Sequence, residues 1–279
     1  WWDKTLERWE REGMEKDTSY LRLQESFGLD PMACLYAPAT YGGTLIHDER
    51  SYEEFRQYLF QDQVVENLKN AAISLKERHE KGEIIVRLWL DGFFWFPRAL
   101  FGIEGHFYAF YDYPELMRKM NSELADFNIR IIEELFPILE PDMVGFGEDM
   151  SYNHGPMLSY ELFKEFLAPY YHRVIPCIKK HGVRILMDSD GDVTAMVPWL
   201  REAGIEGVYP LERQANVDIN KIRHDFPDFL MMGGYDKMVM NQGEEAMRME
   251  FERILPVMKS GGYIPSVDHQ TPPGVSLEN

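Results

Sequence analysis

Asp188 and Asp190 close an apolar run that opens at Arg184-Ile-Leu-Met187, and Asp192 follows across Gly191. Side chains alternate along a strand, so Asp188 and Asp190 are expected on one face. Neighbouring carboxylates repel unless a cation, a proton or a hydrogen-bond donor stands between them. Such a pair suits a divalent metal, a shared proton or a cationic substrate group; the competing reading is a solvated turn. Asp192 stands directly before a helical pattern and is explained as its N-cap. Capping leaves Asp188 and Asp190 unaccounted for.

The arrangement recurs. Apolar runs end in Asp91, in Glu148-Asp149, in Glu212, in Asp236 and in Asp268-His269. Glu148 and Asp149 are expected to orient substrate or act as acid and base, with His154 just beyond them in a Gly-Pro loop. His269 reads either as a ligand or acid/base group, or as a satisfied loop histidine; His154 is open in the same way. Phe94 and Trp95, in the run Phe93-Phe94-Trp95-Phe96, follow a strand end where a pocket wall belongs, although plain core explains them too. Arg87 alternates with apolar residues and needs an acidic partner if buried. Glu212 and Asp236 complete the set as candidate substrate contacts.

The elements that must position these groups alternate. Strand-like runs are expected near 83–90, 141–147, 184–190, 207–212, 229–236 and 263–269, with a weaker one at 32–36. Helical patterns fill the intervals: 51–79, begun by a capping box at Ser51 and Glu54, then 113–139, 159–181, 193–203, 217–225 and 243–259. Gly182 is expected as a C-cap, the Gly42-Gly43 pair marks a loop, and 91–97 reads as an aromatic loop. Alternating β and α implies a parallel sheet, whose sites lie at the carboxyl ends of the strands. No glycine-rich phosphate loop opens a helix. One domain over 1–279 is expected, with 1–50 as a peripheral N-terminal segment.

The totals narrow the class. The net charge is −18, from 47 acids against 29 Lys and Arg, and such a surface repels nucleic acid and anionic membranes. No apolar run has membrane-spanning length. Cys34 and Cys177 make neither a metal motif nor a disulfide framework, so a reducing cytoplasm is expected. Trp1 at the start and no evident stop at the end suggest that the fold is truncated at both ends.

Asp188-Ser-Asp-Gly-Asp-Val193, with Pro198-Trp-Leu and Glu202-Ala-Gly204 after it, resembles the His-x-Cys-Gly-Asp/Asn-Val segment of the uroporphyrinogen decarboxylase superfamily. Pro210-Leu-Glu212, Met232-Gly-Gly-Tyr-Asp236 and Gly261-Gly-Tyr-Ile-Pro-Ser-Val-Asp-His269 extend the likeness, which is good from about residue 91 onward. The resemblance implies a (β/α)8 TIM barrel. It also implies the branch of corrinoid-dependent methyltransferases rather than the porphyrinogen decarboxylase, whose arginine-rich N-terminal motif is not found. Methyltransferase relatives carry His and Cys where this chain has Asp188 and Asp190, and a further Cys near Asp268-His269. The implied metal set is therefore Asp188, Asp190 and His269, oxygen and imidazole without thiolate, suited to zinc and to harder divalent ions. The implied activity is metal-assisted methyl transfer from a small substrate, aromatic O-methyl compounds included, to a corrinoid protein. A homodimer is allowed for. Two alternatives stand beside it: decarboxylation of a tetrapyrrole, and a ligand-binding barrel without catalysis.

Overall fold

A computed structural model of the chain describes residues 1–16, 18–39 and 45–278. The Gly42-Gly43 loop lies outside the described residues. Short runs rich in β-branched and large apolar side chains form strands β1 Met32–Ala37, β2 Ile85–Asp91 and β3 Met143–Gly147. A small hairpin follows, β4 Ser151–Tyr152 and β5 Gly155–Pro156. The remaining strands are β6 Arg184–Asp188, β7 Gly207–Tyr209, β8 Leu230–Tyr235 and β9 Tyr263–Val267. Apart from the hairpin, they form one seven-stranded sheet in the order β1-β2-β3-β6-β7-β8-β9, parallel throughout.

Strands that pair in chain order through helical crossovers wind in one direction, as in a barrel; a doubly wound sheet reverses its order. The sheet curls, so inner-face side chains of non-neighbouring strands meet. The Arg87 guanidinium on β2 lies 5.3 Å from the ring centre of Tyr209 on β7. The Tyr209 hydroxyl sits over Gly145 on β3, where a Cβ would come within 2.4 Å of it. Outward side chains, among them Val86, Leu88, Val144, Phe146, Ile185 and Met187, are fully buried beneath the helices. Inward ones, Trp89, Met143, Leu186, Tyr209 and Met232, make a second, smaller cluster. The fold is thus α/β with a curled parallel sheet of barrel winding. It has seven strands where the expected (β/α)8 barrel has eight; β1 and β9 are its edges, and no eighth paired strand is among the described residues.

The helices differ from expectation at their breaks. The pattern from 51 to 79 divides into Glu49–Arg56 and Asp62–Glu80. The capping box is formed by Asp48 and Ser51, so Ser51 is the third helical residue and not the cap. Helix Pro114–Leu135 stops short of 139, and 159–181 divides into Tyr160–Phe166 and Ala168–Lys179. The aromatic loop ends early, because Trp95 begins the helix Trp95–Asp112. Asp192 does cap the turn after it, accepting from the Thr194 amide at 3.0 Å. Gly182 and Gly204 close their helices with φ of +74° and +94°.

The first helix, Asp3–Arg11, is stitched to the C-terminal segment. The Thr5 hydroxyl donates to the Thr271 carbonyl (2.8 Å), the Trp9 indole to that of Val275 (3.1 Å) and Arg8 to that of Gly274 (2.6 Å). Among the described residues no helix is long and apolar enough to cross a membrane.

Candidate active site at the carboxyl ends of the strands

The acids at the strand ends divide into two groups. Four fasten loops. Glu148 is fully buried, and its carboxylate accepts from the amides of Phe93 (2.7 Å), Phe94 (2.7 Å) and Trp95 (2.9 Å) and from the Tyr171 hydroxyl. It thereby satisfies the free N–H groups at the start of helix Trp95–Asp112, as an anion at a helix N-terminus does. Burial pushes its pKa up to about 7, against the pull of those donors. Asp268, also fully buried, accepts from the amides of Arg213 (2.8 Å) and Lys237 (3.1 Å). Asp91 accepts from the Ala39 amide at 2.8 Å, and burial raises it to about 6. Asp236 caps the turn Lys237–Val239 through the Met238 amide (2.8 Å) and takes the Gln214 side chain (2.8 Å). Glu148 and Asp236 are therefore committed to the backbone rather than turned to a substrate.

The second group converges. His269 Nε2 is 3.3 Å from an Asp190 oxygen, and its side chain is partly exposed. The Asp190 carboxylate beside it holds its pKa above that of an ordinary histidine. Asp188 is the last residue of β6, two positions before Asp190. Burial pushes its carboxyl up to about 7, the Asp190 charge adds to this, and Arg87 and His269 oppose it. Asp149 pairs with Arg98 at 3.0 Å, and Arg98 also donates to the Asp149 carbonyl (2.6 Å). Burial raises Asp149 despite that arginine, with Asp190 and Glu212 contributing. Asp149 adopts a φ of +45°, unfavourable for a non-glycine residue and of a kind found at functional sites. Glu212 accepts from the Gly191 amide (2.9 Å) and lies 3.4 Å from the Lys237 ammonium, which also faces Asp268 at 3.6 Å.

Backbone contacts set this loop. The hairpin lies over it: the Asp192 amide donates to the Tyr152 carbonyl (2.9 Å), and the Ser151 hydroxyl to the Asp190 carbonyl (2.5 Å). Gly191 is required there, since its φ is +85° and a Cβ would stand 2.6 Å from the Tyr152 backbone.

Asp188, Asp190, His269, Asp149 and Glu212 are thus brought together. His154 stands exposed at the hairpin turn, edge-on to Tyr152 at 5.7 Å, apart from the cluster. Phe94 belongs to the core, packed on His106 and Phe110 at zero exposure, and does not line a pocket. Trp95 is partly exposed and carries the Arg98 guanidinium 5.4 Å from its ring centre. Arg87 lies on the concave face of the sheet. Lys237 is not among the residues the sequence singles out; its one mark there is its place directly after Asp236 at a strand end. Among the described residues no group of three or more His, Cys, Asp or Glu side chains is gathered closely enough to hold a metal ion. Asp188, Asp190 and His269 do not fit a metal as they stand.

The uroporphyrinogen decarboxylase (URO-D) family model matches residues 100–279. No protein of curated function matches the sequence. Among solved structures, a methyltransferase from Methanosarcina mazei is similar, with a TM-score of 0.62 over 84% of this chain and 68% of that one, at 12% identity. At that identity the likeness is one of fold.

Proposed function

Because the chain belongs to the uroporphyrinogen decarboxylase family, we propose that it is an enzyme of methyltransferase type. It moves a methyl group from a small O-methyl substrate, aromatic ethers included, to a corrinoid carried by a partner protein. The Asp190–His269 pair at the strand ends carries this reading. When an O–CH3 bond breaks, the oxygen keeps the bonding electrons and leaves poorly unless a proton arrives. Asp190 favours the protonated imidazole, so His269 has a proton to give to that oxygen. Asp188, raised by burial, is a second group able to hold one near neutrality. Arg98 fixes Asp149 at the rim, and Trp95 beside it offers a flat wall. The corrinoid supplies the methyl acceptor. The methyltransferase that shares the fold supports this choice within the family.

The family's decarboxylase chemistry is the second reading, and the Arg87 guanidinium on the concave face favours it as a holder of a substrate carboxylate. One experiment separates the two. The protein is incubated with methoxylated aromatic compounds and reduced free cobalamin, and methylcobalamin is followed by absorbance; transfer is expected, and its loss in His269→Gln. If no methyl compound reacts while a porphyrinogen releases carbon dioxide, the second reading replaces the first. If neither reacts, both readings fall and the ligand-binding alternative takes their place.

A further inference from the structure

The ends of four successive strands, β6 to β9, meet around one ammonium group. Lys237 follows the end of β8. Its Nζ lies 3.4 Å from Glu212, beyond the end of β7, and 3.6 Å from Asp268, directly after β9. Among the described residues no other cation pairs with either acid. The Lys237 side chain is 13% exposed, that of Glu212 19% and that of Asp268 not at all. Solvent therefore screens these charges far less than it screens a pair on the open surface.

Each acid also governs a loop that carries one half of the Asp190–His269 pair. Asp268 precedes His269 and accepts from the amides of Arg213 and Lys237 at 2.8 and 3.1 Å. Glu212 accepts from the amide of Gly191, the residue after Asp190, at 2.9 Å. The two acids differ in what they would keep without the ammonium. Asp268 would retain its two amides. Among the described residues, Glu212 has only Gly191 and Lys237 as side-chain partners. With the ammonium gone, Glu212 would face a fully buried Asp268 without a counter-charge, and like charges drive such a pair apart. Glu212 would swing away, release the Gly191 amide and leave Asp190 free to leave the imidazole.

From this geometry we infer that Lys237 is a positioning residue for the Asp190–His269 pair. Its ammonium holds the Glu212 carboxylate against the Gly191 amide and keeps Glu212 and Asp268 from parting the loops on which Asp190 and His269 stand. The catalytic consequence rests on the methyl-transfer reading, whereas the positioning can be measured without turnover.

The test compares Lys237→Met, Lys237→Arg and Glu212→Gln by NMR at neutral pH, with no ligand added. Lys237→Met should speed solvent exchange of the Gly191 amide about tenfold or more and move the His269 ring resonances. Lys237→Arg keeps the charge and should restore most of both. Glu212→Gln keeps an acceptor for Gly191 but loses the charge that Lys237 holds. It should also move the His269 resonances, and adding Lys237→Met to it should change little more. In methyl transfer to reduced cobalamin, Lys237→Met should lower kcat about tenfold or more with KM held within about twofold, and Lys237→Arg should recover it. The inference is overturned if Lys237→Met leaves Gly191 exchange and the His269 resonances as in wild type, or if Lys237→Arg departs as far as Lys237→Met. Should Lys237→Met fail to fold, Glu212→Gln decides, and unmoved His269 resonances in that variant overturn the inference. Moved resonances in a protein that transfers no methyl group would defeat the activity and leave the positioning standing. Full transfer in Lys237→Met with its resonances unmoved would do the reverse.

Discussion

At the scale of single residues, the site depends on one contact and one buried acid. The contact with Asp190 favours the protonated form of His269. Asp190→Asn should therefore lower the midpoint of the His269 titration, read from its imidazole resonances by NMR; an unchanged midpoint would mean that the contact is not formed in solution. In a functional assay, His269→Gln should cost roughly 100- to 10,000-fold in rate, the usual range for a general acid. Asp188 bears on stability. Burial raises its folded-state pKa to about 7 from an ordinary 3.8. Between those values the folded protein keeps a proton that the unfolded chain has released. Stability from this group is therefore full on the acid side and is lost as pH rises toward and through neutrality. Glu148, also raised to about 7, acts in the same direction. Urea midpoints at mildly acidic and mildly alkaline pH should show this decline, and Asp188→Asn should reduce it. These groups were legible as acids at strand ends; their division of labour was not. Whether a carboxylate meets an amide, as Glu148 does, or a histidine, as Asp190 does, is decided by loops that meet only in the folded chain.

At the scale of elements, Glu148 joins the end of β3 to the start of helix Trp95–Asp112. Glu148→Ala would strand three buried amides and the Tyr171 hydroxyl, and a loss of about 3 kcal/mol or more is expected. Glu148→Gln keeps the shape and one acceptor oxygen and should cost less. Urea unfolding measures both, and a loss below about 1 kcal/mol for the alanine variant would contradict the assigned role. Strand positions were readable because the middles of β3 and β6 are apolar on both faces, as strands of a covered parallel sheet must be, and β2 departs from this only at Arg87. Helix breaks were harder. The patterns over 51–79 and 159–181 keep helical periodicity across their interruptions, and neither Phe60, with φ of +56°, nor Leu167 at the junction of two helices is a residue type that announces a break. The start at Trp95 was hidden for a different reason: its cap is supplied by Glu148, more than fifty residues away.

At the scale of the whole molecule, the winding was legible because alternation and strand-end acids repeat along the chain, whereas the stitching of helix Asp3–Arg11 to residues 271–277 leaves no local mark. Trp9, 4% exposed, lies at its centre, packed edge-on against Trp1 and Phe27. Trp9→Ala should destabilise the protein by about 3–5 kcal/mol and release protection of the amides from 271 to 277 in hydrogen exchange. Unchanged exchange there would show that the tail is held by other means. His269 stands two residues before Thr271, whose carbonyl receives the Thr5 hydroxyl across 266 positions of sequence. Contacts of such separation close the largest loops in the chain, and loop-closure entropy makes them slow to form. The hydrogen bonds joining β1, β2, β3 and β6 can assemble from nearer neighbours, but the imidazole finds its place only when helix Asp3–Arg11 and the segment after β9 meet. A nascent or partly refolded chain should accordingly show native-like sheet signals before His269 senses Asp190, so catalytic competence would be the last property to emerge as the protein folds.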